Sequence, residues 1–187
     1  MTVAQVSLLL DISQAEVYNM GTGYKIRRKT PIYSIIDAFG GTVYDFTIDD
    51  QDYRAHVFTS NGLFKIEKIT IGSEYNIEYL IIGGGGSGGN PDRGAGGGAG
   101  GFRTNVQSDL SGANSNSEPG LLLGLGDYLV TVGEGGLQGY NGENSSFIEI
   151  VSLGGGTGGR NNLEGHRERG QIGGSGGGGG YTSDLNR

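Results

Sequence analysis

Glycine is distributed very unevenly along this chain, and that constrains its fold more than any other feature of the sequence. Of the 41 glycines among 187 residues, 35 fall in residues 83–187, where they make up one third of the chain. The longest tracts are GGGGSGG at 83–89, GAGGGAGG at 94–101, GGGTGG at 154–159 and GGSGGGGG at 173–180. The two parts of the chain, residues 1–82 and 83–187, therefore differ so much in glycine content that we interpret them separately.

Composition excludes several classes of protein. With 13 Lys and Arg against 20 Asp and Glu, the chain has a net charge of −7, so it has no general attraction for nucleic-acid phosphates. It contains no cysteine, and neither disulfides nor thiolate metal sites can form. No apolar run approaches the ~20 residues that span a membrane, and the N-terminus lacks the basic lead of a secretory signal. We therefore expect neither nucleic-acid binding nor membrane insertion.

The first fifty residues are ordinary globular sequence with few clear patterns. The apolar residues of MTVAQVSLLLDISQAEVY (1–18) fit a helix only loosely, and a strand through SLLLDI fits about as well. Both interpretations stay open. A basic cluster before Pro31 forms a candidate attachment patch, consisting of Lys25, Arg27, Arg28 and Lys29. Such a run is most often a solvated face or an intersubunit contact, and the alternative is docking onto an acidic neighbour.

The middle of the chain carries β-strand patterns. TVYDFTI (42–48) alternates apolar with polar residues. AHVFTS and LFKIEKI flank Asn61-Gly62, a dipeptide that suits a tight turn, so the sequence predicts a β-hairpin here. NIEYLII (76–82) predicts a strand that is buried on both faces. Two further strands are predicted in the glycine-rich half, DYLVTVG (127–133) and SFIEIVSLG (146–154).

Three structures can contain glycine at one residue in three. Collagen needs it at every third position together with abundant proline, whereas these glycines are consecutive and the chain has three prolines. A flexible linker does not account for apolar strands such as YLVTV between the tracts. The remaining structure is a set of polyproline-II-like helices made of glycine, whose backbones bond to one another because no side chains hold them apart. Since ordering the backbone costs about 1–2 kcal/mol per residue, only a bundle of tracts capped by strands would be stable.

Motifs of enzymes and cofactor sites are present only in part. Residues 83–88 satisfy GxGxxG after a strand, but a dinucleotide site also needs a helix there, and GNPDRGAGGGAGG cannot form one. The acidic cluster at 49–52 lacks the spacing of a calcium loop and predicts a solvated turn. His56 lies in a predicted strand and is expected to be structural, while His166 lies in a polar loop. We therefore expect no catalytic residue, no cofactor and no metal site, and a protein that is not an enzyme.

The order of the motifs resembles a known family. EYLIIGGGGSGG, GAGGGAGGFRT, GDYLVTVGEGG, NGENSSF, GGGTGG and GGSGGGGGY follow one another between roughly His56 and Tyr181. This order resembles the glycine-rich domain of bacteriophage tail fibres and adhesins, which also occurs in some bacterial surface proteins. The resemblance implies a sandwich of polyglycine-II helices with receptor-recognition loops at one exposed end. By analogy with phage fibres it also implies a homotrimer.

In such a slab the connections between the tracts would carry the variable chemistry. Four connections stand out: NPDRG (90–94), the long segment 104–120, LQGYNG (137–142) and RNNLEGHRERG (160–170). Tyr140 beside Asn141 offers an aromatic face and an amide, which suit a sugar or polar surface. The basic residues of 160–170 suit an acidic polysaccharide or a lipopolysaccharide phosphate. The candidate receptor-facing residues are Arg93, Tyr140, Asn141, Arg160, Asn161, Asn162, His166, Arg167 and Arg169.

The sequence thus predicts a mainly β protein with polyglycine-II helices, in three parts. These are an N-terminal virion-attachment segment (1–50), a β-hairpin and strand region (51–82) and a glycine-rich polyglycine-II domain (83–187). The expected function is that of a phage virion structural protein, a tail-fibre, adhesin or surface-fibre component at the tail or capsid surface. Its expected partners are other virion proteins, through the N-terminal region, and a host surface glycan or outer-membrane component.

Other functions fit the same sequence. A capsid decoration or head-fibre protein and a bacterial cell-surface glycine-rich adhesin are the main alternatives. A polyglycine-II ice-binding protein is a weaker one, because such a protein would display a flat threonine-rich or alanine-rich face and only four threonines follow residue 82.

Overall fold

The computed structural model of the chain describes residues 5–11, 36–70, 74–89, 94–107, 109–160 and 169–180. Within these ranges the protein is mainly β, and its strands are antiparallel. The strands are β1 (Gln5–Asp11), β2 (Ile36–Phe39), β3 (Thr42–Ile48), β4 (Gln51–Phe58), β5 (Gly62–Ile69), β6 (Tyr75–Ile82), β7 (Phe102–Thr104), β8 (Leu121–Leu123), β9 (Gly126–Thr131), β10 (Ser145–Phe147) and β11 (Ile150–Ser152). One short 3-10 turn, Gly112–Asn114, lies between β7 and β8.

The strands form two sheets. The first has the order β3-β4-β1-β6-β7, with β8 also paired to β6, and the second has the order β11-β10-β9-β5-β2. The chain passes from the second sheet to the first at Gly40-Gly41, where φ is 113° and 63°. A Cβ on Gly40 would collide with the carbonyl oxygen of Leu63. Because these backbone angles and this close approach both exclude a side chain, glycine is required at the crossing.

The hydrophobic core lies between the two sheets, as in a β-sandwich. The ring of His56 on β4 meets the ring of Phe64 on β5 edge to face, with centroids 5.1 Å apart, and this contact joins the sheets. Phe64 in turn contacts Phe147 within the second sheet. The other buried apolar residues are Ile36, Ala38, Phe58, Ile66, Ile77, Tyr79, Ile81, Leu123, Val130 and Val132.

Several predicted elements are confirmed. Residues 7–11 of the segment SLLLDI, which fitted a helix or a strand, are part of strand β1, because β4 and β6 pair with it on both sides. The predicted strand 42–48 is β3, and NIEYLII lies within β6. The expected burial of both faces of that strand is wrong, because only the face of Ile77, Tyr79 and Ile81 is fully buried. Asp49 and Asp50, with φ of 49° and 63°, form the two-residue turn between β3 and β4. The acidic cluster that predicted a turn is therefore confirmed as one.

The predicted hairpin at Asn61-Gly62 is wrong. Strands β4 and β5 both form on either side of it, but they belong to different sheets and do not pair with each other. The Asn61 side chain accepts a hydrogen bond of 2.8 Å from the N–H of Val132, and Gly62 pairs with Val130 on β9. Packing of the two sheets therefore overrode the local turn preference of this dipeptide.

The predicted single strand 146–154 is also wrong. It is a tight hairpin in which β10 and β11 pair, with Phe147 opposite Ile150. Ile148, in the turn, has a φ of 56°, a conformation that β-branched residues rarely adopt. No glycine, asparagine or proline marks this turn, which is why the apolar run predicted one continuous strand.

Strands from the first fifty residues take part in both sheets. Strands β1 and β3 belong to the first sheet and β2 to the second, so the described parts of 1–50 pair directly with strands that follow residue 50. The candidate attachment patch of Lys25, Arg27, Arg28 and Lys29 lies outside the described residues, and its role stays a prediction.

Candidate recognition site

The glycine-rich segments extend from one end of the sandwich as a bonded body, which we call the glycine slab (residues 83–89, 94–101, 132–144, 153–160 and 169–180). Strands β6, β9 and β11 lead directly into it. Its backbone hydrogen bonds join different segments at intervals of three residues. Tracts 83–89 and 94–101, for example, are joined by bonds of 2.8–3.0 Å from the N–H of Gly83 to the carbonyl of Gly101, Gly86 to Gly98 and Gly89 to Ala95.

Tract 154–159 lies at the centre of the slab, and all six of its residues are buried. Its backbone donates hydrogen bonds to 83–89 and 173–180 and accepts them from 94–101. A Cβ would collide with a neighbouring backbone at Gly154, Gly155, Gly156 and Gly158. These four positions thus have no space for a side chain, because other backbones occupy it.

The end of the slab away from the sandwich carries the loop 137–141, and we call this the distal end. Ser87, in the middle of a glycine tract, fixes that loop. Its Oγ accepts hydrogen bonds from the N–H of Gly139 (2.9 Å) and of Tyr140 (3.2 Å). The same Oγ lies 3.0 Å from the hydroxyl of Thr157. The backbone of Tyr140 is therefore held in place, while 70% of the residue is exposed.

Asn141 ties the loop to two other segments. Its Oδ1 accepts a hydrogen bond of 2.8 Å from the N–H of Thr157, and its Nδ2 donates one of 3.3 Å to the carbonyl of Ile172. The predicted receptor-facing amide thus has partners inside the slab. Ile172 and Leu137 are 88% and 79% exposed, so the slab presents these apolar side chains on an ordered backbone.

Two of the predicted basic residues lie in the described part of the slab. The Nη1 of Arg160 is 3.5 Å from the position that a Cβ on Gly139 would occupy, so its guanidinium lies beside the loop of Tyr140. Arg169 is exposed at the start of 169–180. Five predicted residues lie outside the described ranges: Arg93, Asn161, Asn162, His166 and Arg167.

The long connection 104–120 follows a different course from the one we expected. It runs from β7 to β8 along the sandwich and away from the distal end. The Arg103 guanidinium donates two hydrogen bonds of 2.6 Å to the Glu118 carboxylate, and the Tyr79 hydroxyl donates a third of 2.9 Å. The buried side chain of Asn105 bonds the backbone of β6 with both its oxygen and its nitrogen. This connection is therefore a structural element.

The Glu118 cluster shifts the pKa values of its members. Burial raises the pKa of Glu118, but the hydrogen bonds from Arg103 and Tyr79 outweigh it and hold that pKa below its ordinary value. Burial, together with the hydrogen bond to Glu118, raises the pKa of the Tyr79 hydroxyl well above its usual value. The sequence offered no signal for this cluster, because its members are far apart along the chain.

Among the residues that the structure describes, no group of three or more potential metal ligands comes together. None of the helical structure in the same ranges is long and apolar enough to cross a membrane.

Comparison with known proteins identifies the family. A family model described as a glycine-rich domain matches residues 59–186, about two thirds of the chain. No curated protein and no solved structure matches it. The matched range contains strands β5 to β11 and the whole glycine slab, and it agrees with the range of roughly His56 to Tyr181 in which the ordered motifs occur. The chain therefore belongs to the glycine-rich domain family.

Proposed function

We propose that the glycine slab is a polyglycine-II sandwich and that the protein is a non-enzymatic structural protein of a phage virion, which presents the distal end to a host surface. The observation that carries the first part is the three-residue interval of the hydrogen bonds between tracts. A polyproline-II-like helix has three residues per turn and directs its polar groups outward. The described glycines with positive φ are Gly40, Gly41, Gly126 and Gly139, and all four lie outside the long tracts, as this helix requires.

The recognition role is supported by how Tyr140 is held. A rigid aromatic side chain supplies a large contact area at low cost in conformational entropy. Ser87 fixes the backbone of Tyr140 before any partner binds, and the guanidinium of Arg160 lies beside the same loop. Aromatic rings contact the faces of sugars, and guanidinium groups pair with carboxylates and phosphates. The ligand class that fits this end is an acidic surface glycan of a bacterial cell.

The virion setting rests on the resemblance of the motif order to tail-fibre and adhesin domains. In this setting the N-terminal region attaches the protein to other virion proteins of the tail or capsid. Three alternative settings would use the same distal end: a capsid decoration, a head fibre and a bacterial surface adhesin. They differ in the structure to which the opposite end of the protein is attached. An image of particles labelled against this chain distinguishes these settings.

Glycan binding is tested with the purified full chain on immobilised bacterial lipopolysaccharides and capsular polysaccharides, followed by whole cells. Tyr140→Ala should weaken binding to the glycan that is recognised by about tenfold or more. Leu137→Ala should also weaken it. Leu125→Ala is the matched control, because Leu125 is also exposed but lies before β9, at the opposite end of that strand from the slab.

Two results would contradict the recognition role. One is that the folded chain binds none of the glycans and none of the cells in the full set. The other is binding that Tyr140→Ala and Leu137→Ala leave unchanged while their melting temperatures match that of the parent chain.

The polyglycine-II assignment has a separate test in amide hydrogen exchange. The N–H groups of 154–159 should exchange slowly, because they are buried and bonded. Those of the exposed glycines Gly176 and Gly179 should exchange fast. Fast exchange throughout 154–159 would indicate a flexible tether and would exclude the sandwich.

A further inference from the structure

Among the strands that the structure describes, β3 (Thr42–Ile48) is an edge of the first sheet. Within this part of the chain it pairs with β4 alone, and its register with β4 is continuous over all seven residues. In a hairpin closed by a two-residue turn, alternate residues direct their backbone groups away from the partner strand, and here these are Val43, Asp45 and Thr47. The edge therefore offers a row of N–H and C=O groups to another strand.

The features that normally protect such an edge are missing from β3. The strand contains no lysine, proline or glycine, and it has no bulge against β4. Its one charge is that of Asp45, which accepts two hydrogen bonds of 2.7 and 2.8 Å from Arg54 on β4. This ion pair ties the carboxylate to its own sheet, so the charge is neutralised and does not repel an approaching strand.

One face of the edge is apolar and exposed. Tyr44, Phe46 and Ile48 alternate along it, and all seven residues of the strand are exposed. Phe46 stacks on Tyr53 of β4 with ring centroids 5.7 Å apart, which holds its ring at the edge. A strand that pairs here would cover this row with its own alternate side chains.

We propose that β3 pairs antiparallel with β3 of a second copy of this chain, so that the first sheets of two protomers form one continuous sheet. The edge fits an extended strand with alternate apolar residues and without proline, and β3 is itself such a strand. A two-fold axis at Phe46 sets Phe46 against its own copy, Tyr44 against Ile48 and Asp45 against Thr47. An axis at Asp45 would instead oppose two carboxylates, which is unfavourable.

This pairing predicts a closed dimer, because each protomer uses the same edge. It differs from the homotrimer that the resemblance to phage fibres implies. The inference is independent of the recognition role, since β3 belongs to the sandwich and not to the distal end.

The absence of cysteine makes the pairing easy to test by cross-linking. At the two-fold axis, facing residues in a non-hydrogen-bonded pair have Cα atoms about 4.5 Å apart, which suits a disulfide. Phe46→Cys should therefore form a covalent dimer under mild oxidation. Leu129→Cys is the matched control, because Leu129 is even more exposed than Phe46 but lies on β9 in the second sheet, and it should stay monomeric on a non-reducing gel.

Sedimentation of the unmodified chain and of two lysine variants completes the test. The parent chain should sediment as a dimer. Phe46→Lys should raise the dissociation constant of that dimer about tenfold or more, since the substitution sets two cations opposite each other. Leu129→Lys should leave it unchanged. A parent chain that is monomeric up to about 100 µM, a trimeric mass, or a dimer that Phe46→Lys leaves intact would overturn the proposal. If Phe46→Lys does not fold, the proposed dimer is tested by the sedimentation mass of the parent chain and by cross-linking of Phe46→Cys.

Discussion

A Cβ on Gly155 would collide with the carbonyl oxygen of Gly98, on a tract more than fifty residues earlier in the chain. The two backbones are held together by the hydrogen bond from the N–H of Gly98 to the carbonyl of Gly156. The slab therefore depends on glycine at this position for a steric reason.

The first prediction concerns this contact. Gly155→Ala should lower the free energy of unfolding by about 3 kcal/mol or more, because two backbones would have to separate. Gly179→Ala is the control, since a Cβ there meets nothing within 4 Å. That variant should leave stability unchanged or raise it by about 0.4–1 kcal/mol. Denaturant unfolding of the full chain measures both, and equal effects of the two substitutions would refute the packing argument.

The second prediction concerns the hydroxyl that fixes the Tyr140 loop. Ser87→Ala removes the acceptor of the Gly139 N–H, whereas the Tyr140 N–H keeps its shorter bond of 2.9 Å to the carbonyl of Leu137. Loss of the bond to Gly139, about 1 kcal/mol, should speed amide exchange at Gly139 about fivefold or more and at Tyr140 less. Ser175→Ala, in another glycine tract, should leave that exchange unchanged. Slow exchange at Gly139 in Ser87→Ala would show that the loop is ordered by other contacts.

The third prediction is a dependence of stability on pH that arises from His56. This side chain is fully buried, its Nδ1 lies 2.8 Å from the carbonyl oxygen of Gly40, and its Nε2 has no hydrogen-bond partner in the described part of the chain. Burial lowers the pKa of His56 below its ordinary value of 6.5, against a smaller opposite effect of the bond to Gly40. The stabilisation is therefore fully present above pH 6.5 and is lost as the pH falls toward the folded-state pKa.

Urea unfolding between about pH 7.5 and 5 measures this effect. His56→Asn keeps a nitrogen that can donate to Gly40 and should remove most of the slope below pH 6.5. His166→Gln controls for the other histidine. The Glu118 carboxylate acts at lower pH, because its pKa is held below the ordinary 4.5. An unchanged slope in His56→Asn would contradict the prediction.

The fourth prediction concerns the carboxylate that anchors the connection 104–120. Glu118→Gln should lower the free energy of unfolding by about 1–3 kcal/mol, since the partly buried Arg103 loses its charged partner. Partial exposure of Arg103 places the value toward the lower end. A double-mutant cycle with Arg103→Met measures the coupling. The outcome that would count against this role is additivity of the two substitutions.

Much of the strand content could be predicted from local pattern. The alternation in TVYDFTI and the apolar run of NIEYLII identified β3 and β6, because a strand exposes its periodicity directly in the sequence. The pairing of the strands could not be predicted in the same way. Asn61-Gly62 has the local preference of a hairpin turn, yet Asn61 bonds Val132 and the chain changes sheet there.

The candidate recognition site, like the strand pairing, could be predicted only in part. The composition of the loop indicated Tyr140, whose exposure the structure supports. It did not indicate Ser87, whose hydroxyl holds that loop, because a serine among glycines has no distinctive pattern. Nor did it indicate that the Asn141 side chain forms hydrogen bonds inside the slab, since its partners Thr157 and Ile172 lie on other segments.

The sequence by itself determined that the long glycine tracts have no side chains to form an ordinary core, and that their backbones can therefore approach one another closely. It also determined where several of the strands lie, β3 and β6 among them, and which family the ordered tracts belong to. Only the tertiary structure decided which tract is central, which strands share a sheet and which edge stays open. The physical reason is that glycine carries no side-chain information, so the neighbours of each tract are set by backbone hydrogen bonds that form once the whole slab is assembled.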